Sequence, residues 1–199
     1  MSIDGIDDVL FDKGMHMKQA KALMVTVMCG MLYALSASAD AAGIRVSSSS
    51  FTDGGNIPRP HGNTGDCGGQ GVSPQVSWSD LPPNAKSVAV LILDPDGAMG
   101  LGVSHWVVYN IPADRGQLKQ GEGQTDGAGV TVGKNISGAT AYRGMCPPVG
   151  DVPHHYTMTV IATDLEPTAL PPALTREELF AALKGHALGA QSVVGRYGR

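Results

Sequence analysis

The 199-residue sequence is poor in charged residues, which make up 16% of the chain. Its formal net charge of −4 provides no basic excess, and this excludes nucleic acid as an expected partner. Nor does it contain a dense cluster of lysine and arginine that would hold an anionic membrane surface. Hydrophobic residues make up 42%, so we expect one globular domain with a substantial core.

The sequence also lacks the motifs of two large enzyme classes. It contains no Gly-x-Ser-x-Gly elbow, which would present an activated serine. It contains no His-x-x-x-His pair, which would favour a zinc site. We therefore predict a protein that is not an enzyme, with no catalytic residues, metal or cofactor. A hydrolase that uses His105 or His154 as a base is kept as an alternative.

An apolar run near the N-terminus, residues 22–35, is shorter than the roughly 20 residues that a membrane-spanning helix needs. Lysines precede this run and the small residues 36–39 follow it. Because this is the order found in secretory signals, we predict a signal peptide over residues 15–39 with cleavage after Ala39. Cleavage after Ala42 and a retained membrane anchor are the alternatives.

The first 14 residues carry four aspartates, the wrong charge for the start of a secretory signal. We interpret residues 1–14 as a mis-called N-terminal extension and expect translation to start at Met15 or Met17. Residues 40–199 would then form a single domain in the periplasm or outside the cell.

Cysteine is scarce, with three in the chain, and two of them lie outside the predicted signal peptide. In an oxidising compartment, an even pair in a small domain is typical of a disulfide. We therefore predict a bond between Cys67 and Cys146, with two free buried thiols as the alternative.

Glycine and proline are abundant, at 27 and 13 residues, and indicate the many turns of a β-rich fold. Runs rich in β-branched and aromatic residues at 88–93 and 105–111 predict two neighbouring central strands. Asp94 and Asp96 follow the first run and His105 opens the second, so acids and an imidazole would meet at one end of a sheet. An ordinary hairpin with an Asp-Pro-Asp turn is the alternative.

A further strand is predicted at residues 154–163. Alternation along it places His154 and Tyr156 on one face and His155 on the other. Two polar side chains would thus project to the same side at the start of the strand. A solvated strand end accounts for the pattern equally well.

The C-terminal segment carries helix signals. Thr175 and Glu178 form a capping box before an apolar stripe, and Gly185 is placed to end the helix. A second short helix over residues 186–191 is a further hypothesis. The stretch 112–129 is polar and Gly-rich, and we expect it to be exposed.

The polar groups at the strand ends have the chemistry of an anion site. Imidazoles and a phenol can donate to an anion, and amides flanked by glycine add to such a cradle. A nearby carboxylate would favour protonated histidine or fix its tautomer. The groups in question are Asp94, Asp96, His105, His154 and Tyr156, with the Gly/Pro loop around Cys146.

Four ordered motifs combine these residues: Asp94-Pro95-Asp96, His105-Trp106-Val107-Val108-Tyr109-Asn110-Ile111-Pro112, Tyr142-Arg143-Gly144-Met145-Cys146-Pro147-Pro148 and Pro153-His154-His155-Tyr156. Together they resemble the phosphatidylethanolamine-binding protein family, and most closely its bacterial Raf kinase inhibitor-like branch. The segment 67–74 and the ending of the chain match as well. The resemblance covers residues 51–199 and is specific because four motifs occur in order.

The resemblance implies a mainly β fold, with a central antiparallel sheet, a smaller flanking sheet and a short C-terminal helical segment. It implies non-enzymatic binding of a phosphate-type anion or a phospholipid head group in a small pocket. The ligand-binding residues would be Asp94, Asp96, His105, Gly144, Cys146, Pro147, Pro148, His154 and Tyr156.

Relatives also act as inhibitors of kinases or proteases, so an interaction module independent of the pocket is the alternative function. A homodimer is left open. The sequence departs from the family pattern at residues 97–99, Ser104, Gly71 and Met145, and it has a longer loop at residues 61–66. These departures affect the rim of the pocket and the choice of ligand more than the fold.

Overall fold

The computed structural model describes residues 43–127 and 129–199. The predicted extension, signal peptide and cleavage sites lie outside these residues. No helix in the described part is long and apolar enough to cross a membrane. Its elements are β1 (Arg45–Ser47), β2 (Val76–Ser79), β3 (Ser87–Asp94), β4 (Val103–Pro112), β5 (Gln117–Leu118), β6 (Thr131–Val132), β7 (His154–Thr163), α1 (Arg176–Leu183) and β8 (Ala187–Tyr197).

The strands form two antiparallel sheets, a larger one in the order β6-β4-β3-β7-β8 and a smaller one in the order β1-β2-β5. The predicted neighbours β3 and β4 pair antiparallel at the centre of the larger sheet. The fold class predicted from the resemblance is therefore confirmed: a mainly β protein with a central sheet, a smaller sheet and a short helix.

Strand β3 is apolar almost throughout because both of its faces are covered. On one face Val90 and Ile92 pack with the core that includes Trp78 of the smaller sheet. On the other face Ala89 and Leu91 pack in the cluster that contains the helical leucines. The larger sheet is thus the middle layer, and its ends are free to carry polar groups.

Helix α1 begins as predicted. The Thr175 hydroxyl accepts from the Glu178 amide, and the Glu178 carboxylate accepts from the Thr175 amide. Leu179 and Leu183 are buried against the larger sheet. Gly185, with φ of 86°, lies just after the helix and provides the left-handed turn that follows it.

The second short helix predicted over residues 186–191 is wrong, because β8 occupies this stretch. It pairs with β7 along almost its whole length, from Ala187 opposite Thr163 to Tyr197 opposite His154. This pairing satisfies the outer backbone edge of β7, and tertiary context of this kind overrides weak local preference.

The segment 51–71 is irregular, with two single turns of 3-10 helix at Arg59–His61 and Gly65–Cys67. The prediction that residues 112–129 are exposed is wrong in part. Leu118 is fully buried, and the indole N–H of Trp106 donates to the carbonyl of Gly123. A polar Gly-rich stretch can thus still contribute to the core, through one buried leucine and through a backbone carbonyl that accepts from a buried indole.

Candidate functional site

A cavity of about 330 Å³ lies at the end of the larger sheet where β3 stops and β7 starts. This volume is at the small end of the range for ligand pockets. All nine predicted ligand-binding residues line it. Gly97, Ala98 and Met99, where the sequence departs from the family pattern, also line it. The remaining lining residues, which the sequence analysis did not single out, are Val103, Arg143 and Asp151.

The strand register explains why distant segments meet here. Antiparallel pairing sets Asp94 opposite Val103, so the end of β3 lies beside the start of β4. On the other side, Leu93 lies opposite Thr157, which brings the first residues of β7 to the same edge. As alternation predicted, His154 and Tyr156 face the cavity while His155 is half-exposed and does not line it.

Asp94 is the buried centre of the site, with 3% of its surface exposed. Its Oδ1 accepts from the amides of Asp96 and Gly97, each at 2.9 Å. Its Oδ2 accepts from Nδ1 of His154 at 2.9 Å. A buried carboxylate is tolerated when it is paired and hydrogen-bonded in this way, and Asp94 in turn joins the turn after β3 to β7.

His154 carries positive charge more readily than an ordinary histidine. Burial acts to lower its pKa, but the hydrogen bond and the charge of Asp94 outweigh burial. Asp96 and Asp151 add to this effect, and the net result is a raised pKa. Since Nδ1 donates to Asp94, Nε2 of the protonated ring is a donor available near the cavity, 3.7 Å from Asp151 Oδ2.

His105 has the opposite character. Burial lowers its pKa, although the carbonyl of Arg143 and the charge of Asp94 oppose the shift. Its Nδ1 lies 2.8 Å from the Arg143 carbonyl, while its Nε2 is buried without a hydrogen-bond partner among the described residues. The Tyr156 hydroxyl, also buried and unpartnered, belongs to a ring 5.3 Å from the imidazole in an edge-to-face arrangement.

Asp96 lines the cavity, but its Oδ2 is already engaged. It accepts from the backbone amide and from Nδ1 of His155, at 2.7 and 2.9 Å. These hydrogen bonds lower the pKa of the half-exposed Asp96 carboxyl. In the described structure Asp96 therefore ties the loop after β3 to the first residues of β7.

The opposite wall is formed by residues 143–148 and is fixed by a disulfide. Cys67 and Cys146 are bonded, as predicted, across 79 residues of sequence. The carbonyl of Pro147 accepts from the guanidinium of Arg199, which also donates to the carbonyl of Asp66. The disulfide and this arginine together hold the wall against the 3-10 turn that contains Cys67.

Gly144 is needed in this wall for steric reasons. A Cβ at this position would lie 2.3 Å from the backbone nitrogen of Asn63. The contact is with backbone rather than with the end of a flexible side chain, so it cannot be relieved cheaply. The same loop is anchored by Tyr142, whose hydroxyl donates to the carbonyl of the buried His61.

Sequence reasoning missed Arg143 and Asp151 as lining residues. Arg143 stands inside one of the quoted motifs, and Asp151 lies three residues before His154, so proximity to predicted residues was the available signal. A larger hollow of about 560 Å³ lies elsewhere, along β1 and β2, and contains no buried titratable group. No group of three or more potential metal ligands occurs in the described part of the chain.

The fold and the cavity define an antiparallel β protein with a small polar pocket at a sheet end. The family model described as phosphatidylethanolamine-binding protein matches residues 47–198. A UPF0098 protein of Aquifex aeolicus is 34% identical over 163 residues, covering 81% of this chain and 92% of that protein. The UPF0098 protein YbcL of Escherichia coli is 40% identical over 134 residues, covering 65% of this chain and 73% of YbcL.

Solved structures agree with this assignment. The crystal structure of E. coli YbcL, described as a member of the mammalian PEBP family, matches with a TM-score of 0.73 at 32% identity, covering 79% of this chain and 99% of that one. A homologue from Chlamydia trachomatis matches with a TM-score of 0.68 at 28% identity, covering 79% and 98%. The chain belongs to the phosphatidylethanolamine-binding protein family, a family of binding proteins.

Proposed function

We propose that the protein binds a phosphate-type anion, free or as part of a phospholipid head group, in the cavity at the sheet end, without catalysing a reaction. The observation that carries the proposal is a pair of buried polar atoms, His105 Nε2 and the Tyr156 hydroxyl, on residues that line one small cavity. Neither atom has a hydrogen-bond partner within the part of the chain that the structure describes. Such groups cost free energy unless something hydrogen-bonds to them. Arg143 supplies positive charge, and the raised pKa of His154 favours a second positive charge at the cavity.

The experiment is isothermal titration of the protein with inorganic phosphate and with phosphoethanolamine. His154→Ala removes a donor from the site, and we expect it to weaken binding at least tenfold. His186→Ala is the matched control, because this histidine pairs with Asp164 away from the cavity and should leave affinity unchanged. Equal heats in the wild type and His154→Ala would contradict the assigned pocket.

We propose no reaction for the site. Its cysteine is in the disulfide, and the described residues that line it offer no serine, threonine or lysine as a nucleophile. The ligand should therefore emerge unchanged. Phosphorus NMR of phosphoethanolamine incubated with the protein tests this, and release of inorganic phosphate would favour the hydrolase alternative.

A pocket-independent interaction with a target protein is the second candidate. Four apolar side chains in the two loops beside the cavity are strongly exposed: Met99 at 97%, Leu101 at 86%, Val149 at 76% and Val152 at 82%. Scattered apolar residues need no explanation, but four around one opening favour contact with another surface. A partner retained by Tyr156→Phe and lost in Val152→Ser would support this function, because Val152 is exposed and does not line the cavity.

We also propose that the protein is exported. The disulfide supports this, since such bonds persist in oxidising compartments. The predicted cleavage after Ala39 gives a mature chain beginning at Asp40, and mass spectrometry of the periplasmic or secreted fraction tests it. Recovery of the uncleaved chain in the cytoplasm alone would contradict the proposal.

A further inference from the structure

The tautomer of His105 is fixed by the backbone. Its Nδ1 lies 2.8 Å from the carbonyl oxygen of Arg143, and a carbonyl can only accept, so Nδ1 carries the hydrogen. A neutral ring then presents Nε2 as an acceptor. Burial lowers the pKa of His105 and favours this neutral form. The unpartnered buried atom of His105 therefore needs a hydrogen donated to it, not an additional acceptor.

The other groups around His105 also favour a ligand that donates a hydrogen to Nε2. The Asp94 carboxylate lies 4.0 Å from Nε2, and Asp96 and Asp151 line the same cavity. Each of these is an acceptor when ionised. The donors are the Tyr156 hydroxyl, protonated His154 and Arg143. The walls thus contain both donors and acceptors, and an anion without any hydrogen would satisfy only the donors.

We propose that the cavity selects an oxyanion that carries a hydrogen of its own, namely monohydrogen phosphate or a singly protonated phosphomonoester. Its P–OH group donates to Nε2 of His105 while its other oxygens accept from Tyr156 and the cationic side chains. This inference rests on the proposed function and narrows it, because the diester phosphate of a phospholipid has no such hydrogen.

The difference in affinity between ligands with and without this hydrogen follows from the free-energy cost of leaving His105 Nε2 without a hydrogen bond. Binding sites built to hydrogen-bond one substrate reject analogues that lack the matching group, since a polar atom of the site is left unpaired. Sulfate has nearly the shape of phosphate and the same charge as monohydrogen phosphate, but it carries no hydrogen at neutral pH. We expect phosphate to bind at least tenfold more tightly than sulfate.

The test is isothermal titration of the full chain at pH 8 and constant ionic strength with phosphate, arsenate and sulfate. Phosphate and arsenate are then mainly monohydrogen dianions, and sulfate is a dianion of the same shape without the hydrogen. We expect similar affinities for phosphate and arsenate and a loss of tenfold or more for sulfate. This comparison uses the wild-type protein, so it does not depend on the folding of a variant.

His105→Gln provides a second comparison. A glutamine amide can turn either its oxygen or its NH₂ group toward the ligand, so the preference for phosphate over sulfate should fall to about threefold or less. His186→Gln is the matched control, and it should keep the wild-type ratio because His186 pairs with Asp164 and does not line the cavity. Circular dichroism establishes that each variant is folded.

The outcomes distinguish selectivity for a protonated oxyanion from anion binding itself. Equal affinity for phosphate and sulfate in the wild type would overturn the selectivity and leave the proposed anion binding intact. An unchanged ratio in folded His105→Gln would overturn the role of His105. Absence of binding by all three anions would overturn the proposed function, and this inference with it.

Discussion

Asp94 shows how one residue sets the properties of its neighbours. It accepts hydrogen bonds from two amides of its own turn and from His154 across the sheet. The same carboxylate that orders the loop therefore raises the pKa of His154, whereas burial lowers the pKa of His105 against the opposing effect of the Arg143 carbonyl. Two histidines in one cavity thus take opposite hydrogen-bonding roles.

The first prediction concerns His154 and pH. Its pKa in the folded protein is raised, so its contribution to stability is fully present below the unfolded pKa of about 6.5 and is lost as pH rises through the folded value. We expect His154→Gln to cost about 2 kcal/mol at pH 6 and less at pH 9. Urea unfolding at several pH values measures this difference.

Asp94→Asn is the control for the same prediction, because it removes the charge that holds the His154 proton. The pKa of His154, followed by NMR, should fall in this variant. A His154 pKa that stays unchanged in folded Asp94→Asn would contradict the assigned cause.

The second prediction concerns Gly144. In Gly144→Ala the new methyl group would lie 2.3 Å from the backbone nitrogen of Asn63, and the wall of the cavity would have to move. We expect a loss of about 1–3 kcal/mol in the free energy of unfolding, together with weaker phosphate binding. Gly43→Ala is the matched control, since nothing lies within 4 Å of a Cβ there. Wild-type stability and affinity in Gly144→Ala would contradict the steric argument.

Among the elements, the loops on one side of the cavity depend on cross-links more than on regular structure. Residues 143–148 form no strand. Backbone hydrogen bonds join Met145 to His61 and Asn63, and the disulfide and Arg199 hold the segment to the 3-10 turn at Gly65–Cys67. Irregular segments lose their geometry easily unless side chains or covalent bonds fix them. The other side of the cavity is built on paired strands and needs no such bond.

The third prediction follows from this difference. Replacing both Cys67 and Cys146 by serine removes a link across 79 residues, and chain entropy predicts a cost of about 4 kcal/mol. We expect urea unfolding to show most of this loss, and phosphate affinity to fall. The wild type in reducing agent should resemble the variant. An unchanged unfolding midpoint would show that the wall is held by other contacts.

The elements also show what the sequence could predict. Alternation separated His154 from His155 correctly because β7 is one regular strand with one buried face. The hypothesis of a second helix over residues 186–191 was wrong, because the strand there forms on the unpaired edge of β7, which is a non-local cause. Arg143 and Asp151 were missed for a related reason, since their place at the cavity depends on how two loops are held and not on a periodic pattern.

At the scale of the whole molecule, the cavity exists because the topology joins three separated segments at one sheet end. Strands β3, β4 and β7 are neighbours in space, and their register sets Asp94, His105 and His154 side by side. A ligand that contacts all three segments binds only the folded chain. Binding and global stability are therefore coupled.

The fourth prediction uses this coupling. At a phosphate concentration of 100 times Kd, folding should be stabilised by about 2.7 kcal/mol, which corresponds to a rise in Tm of about 5–10 °C for a chain of this size. Scanning fluorimetry over a phosphate series, with chloride at equal ionic strength as the control, measures the shift. Tyr156→Phe lacks one buried hydroxyl that has no hydrogen-bond partner among the described residues. The variant should therefore melt normally without phosphate and respond less to it. A full phosphate response in Tyr156→Phe would mean that the anion stabilises the protein from a site other than this cavity.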